Sequence, residues 1–186
     1  MANLEHLQIL NQGVEVWNQW TRKNPCISPD LSEVDFTKAD LSGVEFGCAN
    51  LSNCNLREAN LRRANLYYSN LYGADLSYAN LQGAFLKEAD LTQADLSHAN
   101  LRWAKLWEAN LEGAYLMQAD LKKASLNTAN LSEADLRNAD FTDADLRGIN
   151  LSHAQAREAL FTHDPPGITK KWKRYLIGQG AIFVDT

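Results

Sequence analysis

The stretch Ala79-Asn80-Leu81-Gln82-Gly83-Ala84-Phe85-Leu86-Lys87-Glu88-Ala89-Asp90-Leu91 carries the pattern that decides the fold. Leu81, Leu86 and Leu91 stand five residues apart, and a small residue, Ala79, Ala84 or Ala89, precedes each by two. Working outward, the spacing does not fail from Leu31 to Leu151: all 25 positions are Leu or Phe, the Phe being Phe36, Phe46 and Phe141. Two residues earlier, 19 of the 25 are Ala, and the exceptions are Pro29, Val34, Val44, Cys54, Ser69 and Ile149.

A period of five fits neither common element. A helix turns about 100° per residue, so successive Leu would scatter around the cylinder and leave no apolar stripe. In a flat strand, five is an odd step, and Leu would alternate between faces. The pattern works when the chain bends by about a quarter turn per pentad. Four pentads then close a square coil, each Leu points to the axis, and coils stack by backbone pairing about 4.8 Å apart. A short self-similar period of this kind marks a solenoid.

Let i be the Leu or Phe position. The residue at i−2 also points inward, where four sides crowd, which favours Ala. Position i−1 points out and is Asp or Asn at 20 of 25 sites; Glu45, Phe85, Lys105, Tyr115 and Ser125 are the others. Such short side chains bond nearby backbone groups at bends. Position i+2 carries Gly43, Gly73, Gly83, Gly113 and Gly148, with Asn53 and Asn138. A type II turn needs φ > 0 at its third residue, which suits Gly and Asn and places i+2 at a corner.

From Pro29 to His153 the chain resembles a pentapeptide repeat protein, whose motif is roughly A(D/N)LXX. The resemblance implies a mainly β fold, a right-handed quadrilateral parallel β-helix with a packed Leu/Phe and Ala interior. The 25 pentads give about six coils and a rod roughly 30 Å long at 4.8 Å per coil. The expected organisation is one compact domain: residues 1–28 as a helical N-terminal cap and linker, 29–158 as the β-helix, and 159–186 as a short helical and extended C-terminal cap.

Stacked coils leave apolar ends that need cover. Leu4, Leu7, Leu10, Val14, Trp17 and Trp20 recur at steps of three and four, predicting an amphipathic helix that ends at Asn24-Pro25. That helix is expected to lay Trp17 and Trp20 near Leu31 and Phe36. The segment from Gln12 to Trp20, with Asn24-Pro25, also resembles the N-terminal cap of pentapeptide proteins common in photosynthetic bacteria. A partner-docking helix is the other reading. Beyond Leu151, Ala156 and Phe161 take the next two i positions. Thr169 can cap a basic helix from Lys170 to Tyr175, and Ala181-Ile182-Phe183-Val184 reads as a short strand or tether. This end is either a cap or a dimer contact, so the chain is expected as a monomer or as a dimer through an end cap.

No apolar run approaches the roughly 20 residues of a membrane span, and mean hydropathy is −0.38. The first residues lack a signal-peptide pattern. The expectation is a cytoplasmic protein without membrane association. Three cysteines without CxxC spacing argue against a disulfide frame or zinc site.

Residues 20 apart lie above one another in this reading, so charge can be assigned to each side. The side built on Leu31, Leu51 and their successors carries Asp30, Glu33, Asp90, Glu112 and Glu133 and no cation, a net of −5. The second, third and fourth sides carry −2, +1 and −1. The fourth side, on Phe46 to Leu146, departs most from the pattern. Phe85 and Lys105 replace Asp or Asn, and Tyr67, Lys87 and Trp107 stack at i+1. Tyr68 lies at a neighbouring corner, and Trp103 just before the side begins. Exposed aromatics beside cations are typical interface anchors; mutual cover along a ladder is the structural alternative. Tyr67, Tyr68, Phe85, Lys87, Trp103, Lys105 and Trp107 therefore form the candidate protein-binding surface.

Catalysis has little to build on. The interior is filled, the exterior flat, His6, His98, His153 and His163 are far apart in register, and no phosphate loop or nucleophile elbow appears. No cofactor or metal is expected. The sequence points to a non-enzymatic structural or protein-interaction module with an unknown protein partner. The resemblance supplies an alternative, because some family members protect type II topoisomerases by imitating duplex DNA. DNA would carry about 18 charges over roughly 30 Å, whereas the most acidic side here has five. The basic cluster at Lys170, Lys171, Lys173 and Arg174 is a weak basis for nucleic-acid binding.

Overall fold

The computed structural model describes residues 2–185. Every pentad bends at the same place. From Glu33 to Glu158, each residue two beyond the Leu or Phe position has φ between 55° and 71°. The turn is closed by a backbone bond from i+3 to i, as in Ala59 N–H to the Leu56 carbonyl at 3.0 Å and Ala84 N–H to the Leu81 carbonyl at 3.0 Å. Gly43 and Gly83 adopt this left-handed conformation without side-chain strain, but Tyr68, Trp103 and 19 other non-Gly residues adopt it too. Glycine and asparagine therefore mark the corners without being required there.

Coil pairs to coil in register. Parallel bridges join residues 20 apart, from Asp30 with Asn50 to Asp135 with Gln155. Leu31 N–H donates to the Asn50 carbonyl at 2.8 Å, and Asn50 N–H to the Pro29 carbonyl at 2.7 Å. The winding continues past Leu151 through Ala156 and Phe161, both buried, giving nearly seven turns. Within the coils, the Leu, Phe and Ala columns merge into one core, and most of its members have no exposed surface. Burial of each Leu contributes roughly 2 kcal/mol.

Continuous strands are fewer than a mainly β label suggests. Among the described residues they are β1 (Asp140–Phe141), β2 (Leu160–Thr162) and β3 (Ile182–Val184), in one parallel sheet of that order. Elsewhere the pairing consists of isolated bridges. The cause is the corner spacing: each side is too short to hold two successive ladder pairs before the chain turns again.

At the N-terminal end the expected single helix is two: α1 (Leu4–Leu10) and α2 (Val14–Lys23). The chain reverses at Asn11–Gly13, and Gly13 takes φ 111°, a conformation that L side chains rarely adopt. Helix α2 lies across the first coil. Trp17 is fully buried, its Nε1–H donating to the Glu45 carbonyl at 2.8 Å and its ring 5.6 Å from Phe46. Trp17 thus meets Phe46, which in turn lies 6.4 Å from Phe36 in the same core, while Trp20 packs on Trp17 and His6. The Asn18 amide donates to the Gly43 carbonyl and accepts from Glu45 N–H. His6 Nδ1 accepts from Asp30 N–H at 3.1 Å. Side chains here occupy backbone groups that the preceding coil satisfies elsewhere in the rod.

At the other end, α3 (Lys170–Gly178) starts with the Thr169 hydroxyl accepting from Trp172 N–H. Leu176 is fully buried, and the Tyr175 hydroxyl donates to the Ala154 carbonyl at 2.9 Å. Strand β3 pairs with β2, placing Phe183 on Phe161, which stacks in turn on Phe141. Phe183 continues the Phe column although it lies 22 residues beyond Phe161, because the α3 excursion replaces a coil.

Candidate interaction surface

On the first and third sides the exterior backbone is closed at every rung by its own side chains, and on the second side at every rung but those of Tyr115 and Gln155. The Asp or Asn at i−1 accepts from the N–H at i+1. On the first side this bond forms at all seven rungs from Asp30 to Asn150. On the third side it forms at all six from Asp40 to Asp140. Neighbouring amides also bond along the rod, as in Asn150 to Asn130 at 2.8 Å and Asn130 to Asn110 at 3.0 Å.

The fourth side forms this bond at only two rungs, Asn65 to Tyr67 N–H and Asp145 to Arg147 N–H. Among the described residues, the N–H groups of Gly47, Lys87, Trp107 and Asn127 have no protein acceptor. The residues responsible are Glu45, Phe85, Lys105 and Ser125, four of the five departures from Asp or Asn in the whole i−1 column. Glu45 is occupied elsewhere: its carboxylate accepts from Asn65 at 2.7 Å and lies 4.0 Å from Arg22.

Five of the predicted residues meet here. Tyr67, Phe85, Lys87, Lys105 and Trp107, with Arg63, Asn65 and Glu45, line one shallow depression of about 430 Å³. Tyr67, Phe85 and Trp107 are 38 %, 52 % and 41 % exposed, so stacking along the rod leaves much of each ring open. Tyr68 borders this group through an edge contact with Tyr67, ring centroids 4.3 Å apart. Trp103 does not line the depression; it stands at the preceding corner under Arg102, whose guanidinium is 4.9 Å from its ring.

The electrostatics of the depression are uneven. Lys87 Nζ is 3.0 Å from Glu88 and 5.8 Å from the Tyr67 ring centre. Its hydrogen bond to Glu88 raises the Lys87 pKa, while hydrogen bonds from Tyr68 and Lys87 hold the Glu88 carboxyl below its usual range. The same Glu88 bond pushes the Tyr68 phenol up. Arg63 and Lys105 have no ion-pair partner among the described residues. Arg63 follows Leu61 by two and so belongs by sequence to the third side. It sits on the shared corner, and the structure turns it over the fourth. No group of three or more His, Cys, Asp or Glu able to hold a metal occurs among the described residues. No described helix is long and apolar enough to cross a membrane.

A square solenoid of stacked pentads, with a filled core and an interrupted side, defines the class of protein. The chain belongs to the pentapeptide repeats family: its model matches in eight copies, over stretches running from residue 28 to residue 163. HetL, a pentapeptide repeat protein involved in heterocyst differentiation regulation from the cyanobacterium Nostoc sp. strain PCC 7120, is 33% identical over 77% of each chain, with a TM-score of 0.31. A pentapeptide repeat protein of the Arabidopsis thaliana thylakoid lumen is 35% identical over 63% of this chain and 68% of its own, with a TM-score of 0.33. QnrB1, a plasmid-mediated fluoroquinolone resistance protein, is 17% identical over 81% of this chain and 92% of its own, with a TM-score of 0.41. No curated protein sequence matches.

Proposed function

We propose that this chain is a non-enzymatic protein-interaction module: a right-handed quadrilateral β-helix, capped by α1–α2 and by α3–β3, whose fourth side engages a protein partner. The observation that carries this reading is the concentration of departures on that side. Four rungs there forgo a bond that closes every rung of the first and third sides; Phe85 and Lys105 occupy two of the vacated positions, and Tyr67, Lys87 and Trp107 stand beside them at i+1. Each missing bond forgoes about 1 kcal/mol, and four of the five departures from Asp or Asn between residues 30 and 150 fall on this one side. Exposed Cys26 and Cys48 thiols fit a reducing compartment, in keeping with a cytoplasmic location.

The test pairs Trp107→Ala with Phe85→Ser. The double variant should keep the circular dichroism of the parent and lose the protein that the parent captures from native-cell extract. Equal capture by both would overturn the assignment of the fourth side. Topoisomerase protection by DNA mimicry draws on the acidic first side instead. A supercoiling assay separates the two, because the interaction reading expects no protection at excess protein.

A further inference from the structure

Resting on that reading of the fourth side, we propose that its partner presents an acidic segment, and that the partner's carboxylates take the place of the missing Asp and Asn side chains. On the first and third sides each i+1 N–H meets a side-chain oxygen from its own chain, as Thr92 N–H meets Asp90 at 3.0 Å and Ser132 N–H meets Asn130 at 3.2 Å. At Lys87 and Trp107 the equivalent N–H has no protein acceptor. The depression is therefore a pair of backbone donors, one rung apart, with the oxygen half of the motif left out.

What surrounds these donors fixes the chemistry of the occupant. The charged residues of the depression are Glu45, Arg63, Lys87 and Lys105. Glu45 and Lys87 already have partners, which leaves Arg63 and Lys105 uncompensated in a chain of net charge −5. Two unpaired cations beside two unpaired N–H groups select an anion that accepts hydrogen bonds, and charge-assisted bonds of this kind are the stronger class. The floor of Tyr67, Phe85 and Trp107 adds an apolar requirement, met by an aromatic or aliphatic side chain between the acidic ones. A long polyanion fits less well. Running along the rod it would meet Glu45 toward one end and Asp145 toward the other, with Glu88 and Glu108 on the flanking corner. A short acidic and apolar peptide segment stops short of Asp145 and meets Glu45 and Glu88 only where Asn65, Arg22 and Lys87 already engage their carboxylates.

The test uses the intact chain, nitrogen-15 labelled, titrated with a peptide of repeating Asp-Phe units, its Asn-Phe counterpart, and single-stranded poly-dT. The Asp-Phe peptide should shift the backbone amide resonances of Lys87 and Trp107 downfield, and the Asn-Phe peptide should bind about tenfold more weakly. Arg63→Ala with Lys105→Met should weaken Asp-Phe binding by about tenfold or more. Phe85→Asn, which supplies an internal acceptor to Lys87 N–H, should remove the Lys87 shift while the remaining spectrum stays that of the folded protein. Equal binding of the Asp and Asn peptides would overturn the carboxylate assignment. If the Trp107→Ala and Phe85→Ser variant still lost its captured partner, the fourth side would nevertheless remain an interaction face. Binding of poly-dT in preference to the Asp-Phe peptide, or no peptide-induced shift at these two amides, would also overturn it.

Discussion

The first and fourth sides of the rod share one backbone and one core but treat their exteriors in opposite ways. On the first side, Asp or Asn at every rung bonds the following turn, and amides such as Asn110, Asn130 and Asn150 join rung to rung. On the fourth, Phe85 and Lys105 stand at two adjacent rungs of that column, and the turn N–H groups of Lys87 and Trp107 go without an acceptor. The difference teaches that the interior columns specify the coil, whereas the i−1 column adjusts its stability and its surface. A side can lose most of its outer bonds and still hold its place, because the core and the inter-coil bonds run through it unchanged.

The largest expected effect tests that separation directly. Leu111→Ala on the first side and Leu106→Ala on the fourth remove equally buried side chains, so each should cost about 2–5 kcal/mol in denaturant unfolding. A markedly smaller loss at Leu106 would mean that the fourth side is already loosened to its core. Next, Asn130→Ala removes an acceptor used by Ser132 and Asn150 and a donor to Asn110. It should lower stability by about 1–2 kcal/mol. Smaller and opposite in sign, Phe85→Asn should raise stability by about 0.5–1 kcal/mol, read as a higher Tm, because it restores the missing bond to Lys87 N–H. A lower Tm would show that the Phe85 ring supports the rod.

The smallest effect is acid sensitivity on the regular sides. Hydrogen bonds from Arg137 hold the Asp135 carboxyl below its usual range; at Asp140 burial pushes upward, but bonds from Lys122 and Thr142 outweigh it. Because both folded-state values are depressed, these groups stabilise the fold above the ordinary Asp range, and that contribution is lost as pH falls through the folded values. Melting followed by circular dichroism should therefore be little changed by these groups at neutral pH and decline below about pH 4. Hydrogen exchange in acid should rise around Asp135 and Asp140 before it rises at the carboxylate-free positions Phe85 to Ser125 of the fourth side.

Much of the rod was legible in the sequence because a strict period leaves few geometries. The Leu, Phe and Ala columns fixed what points inward, and the 20-residue register followed from four bends per coil. What was not legible depends on contacts without a period. The break at Gly13 lay inside a helical apolar pattern, and only the glycine hinted at it. The bonds of His6 and Asn18 to the first coil join polar side chains to backbone groups more than 20 residues away. Of the surface residues, Tyr67, Phe85, Lys87, Lys105 and Trp107 could be placed by register alone. Arg63 was missed because a corner residue serves two sides, and Trp103 lies apart because it stacks with Arg102. The departures at Phe85 and Lys105 were visible as residue types, but the unpaired N–H groups they leave required the hydrogen-bond geometry.

The 20-residue register also governs which changes in length the chain can survive. Losing a single residue would misplace every later leucine. Excising a whole pentad, such as Asp90 to Ala94, would keep the core intact but rotate everything downstream by a quarter turn and carry Trp107 away from Lys87. Only gains or losses of a complete circuit preserve both the interior and the alignment of the outer columns, so the surface imposes a longer reading frame than the fold does.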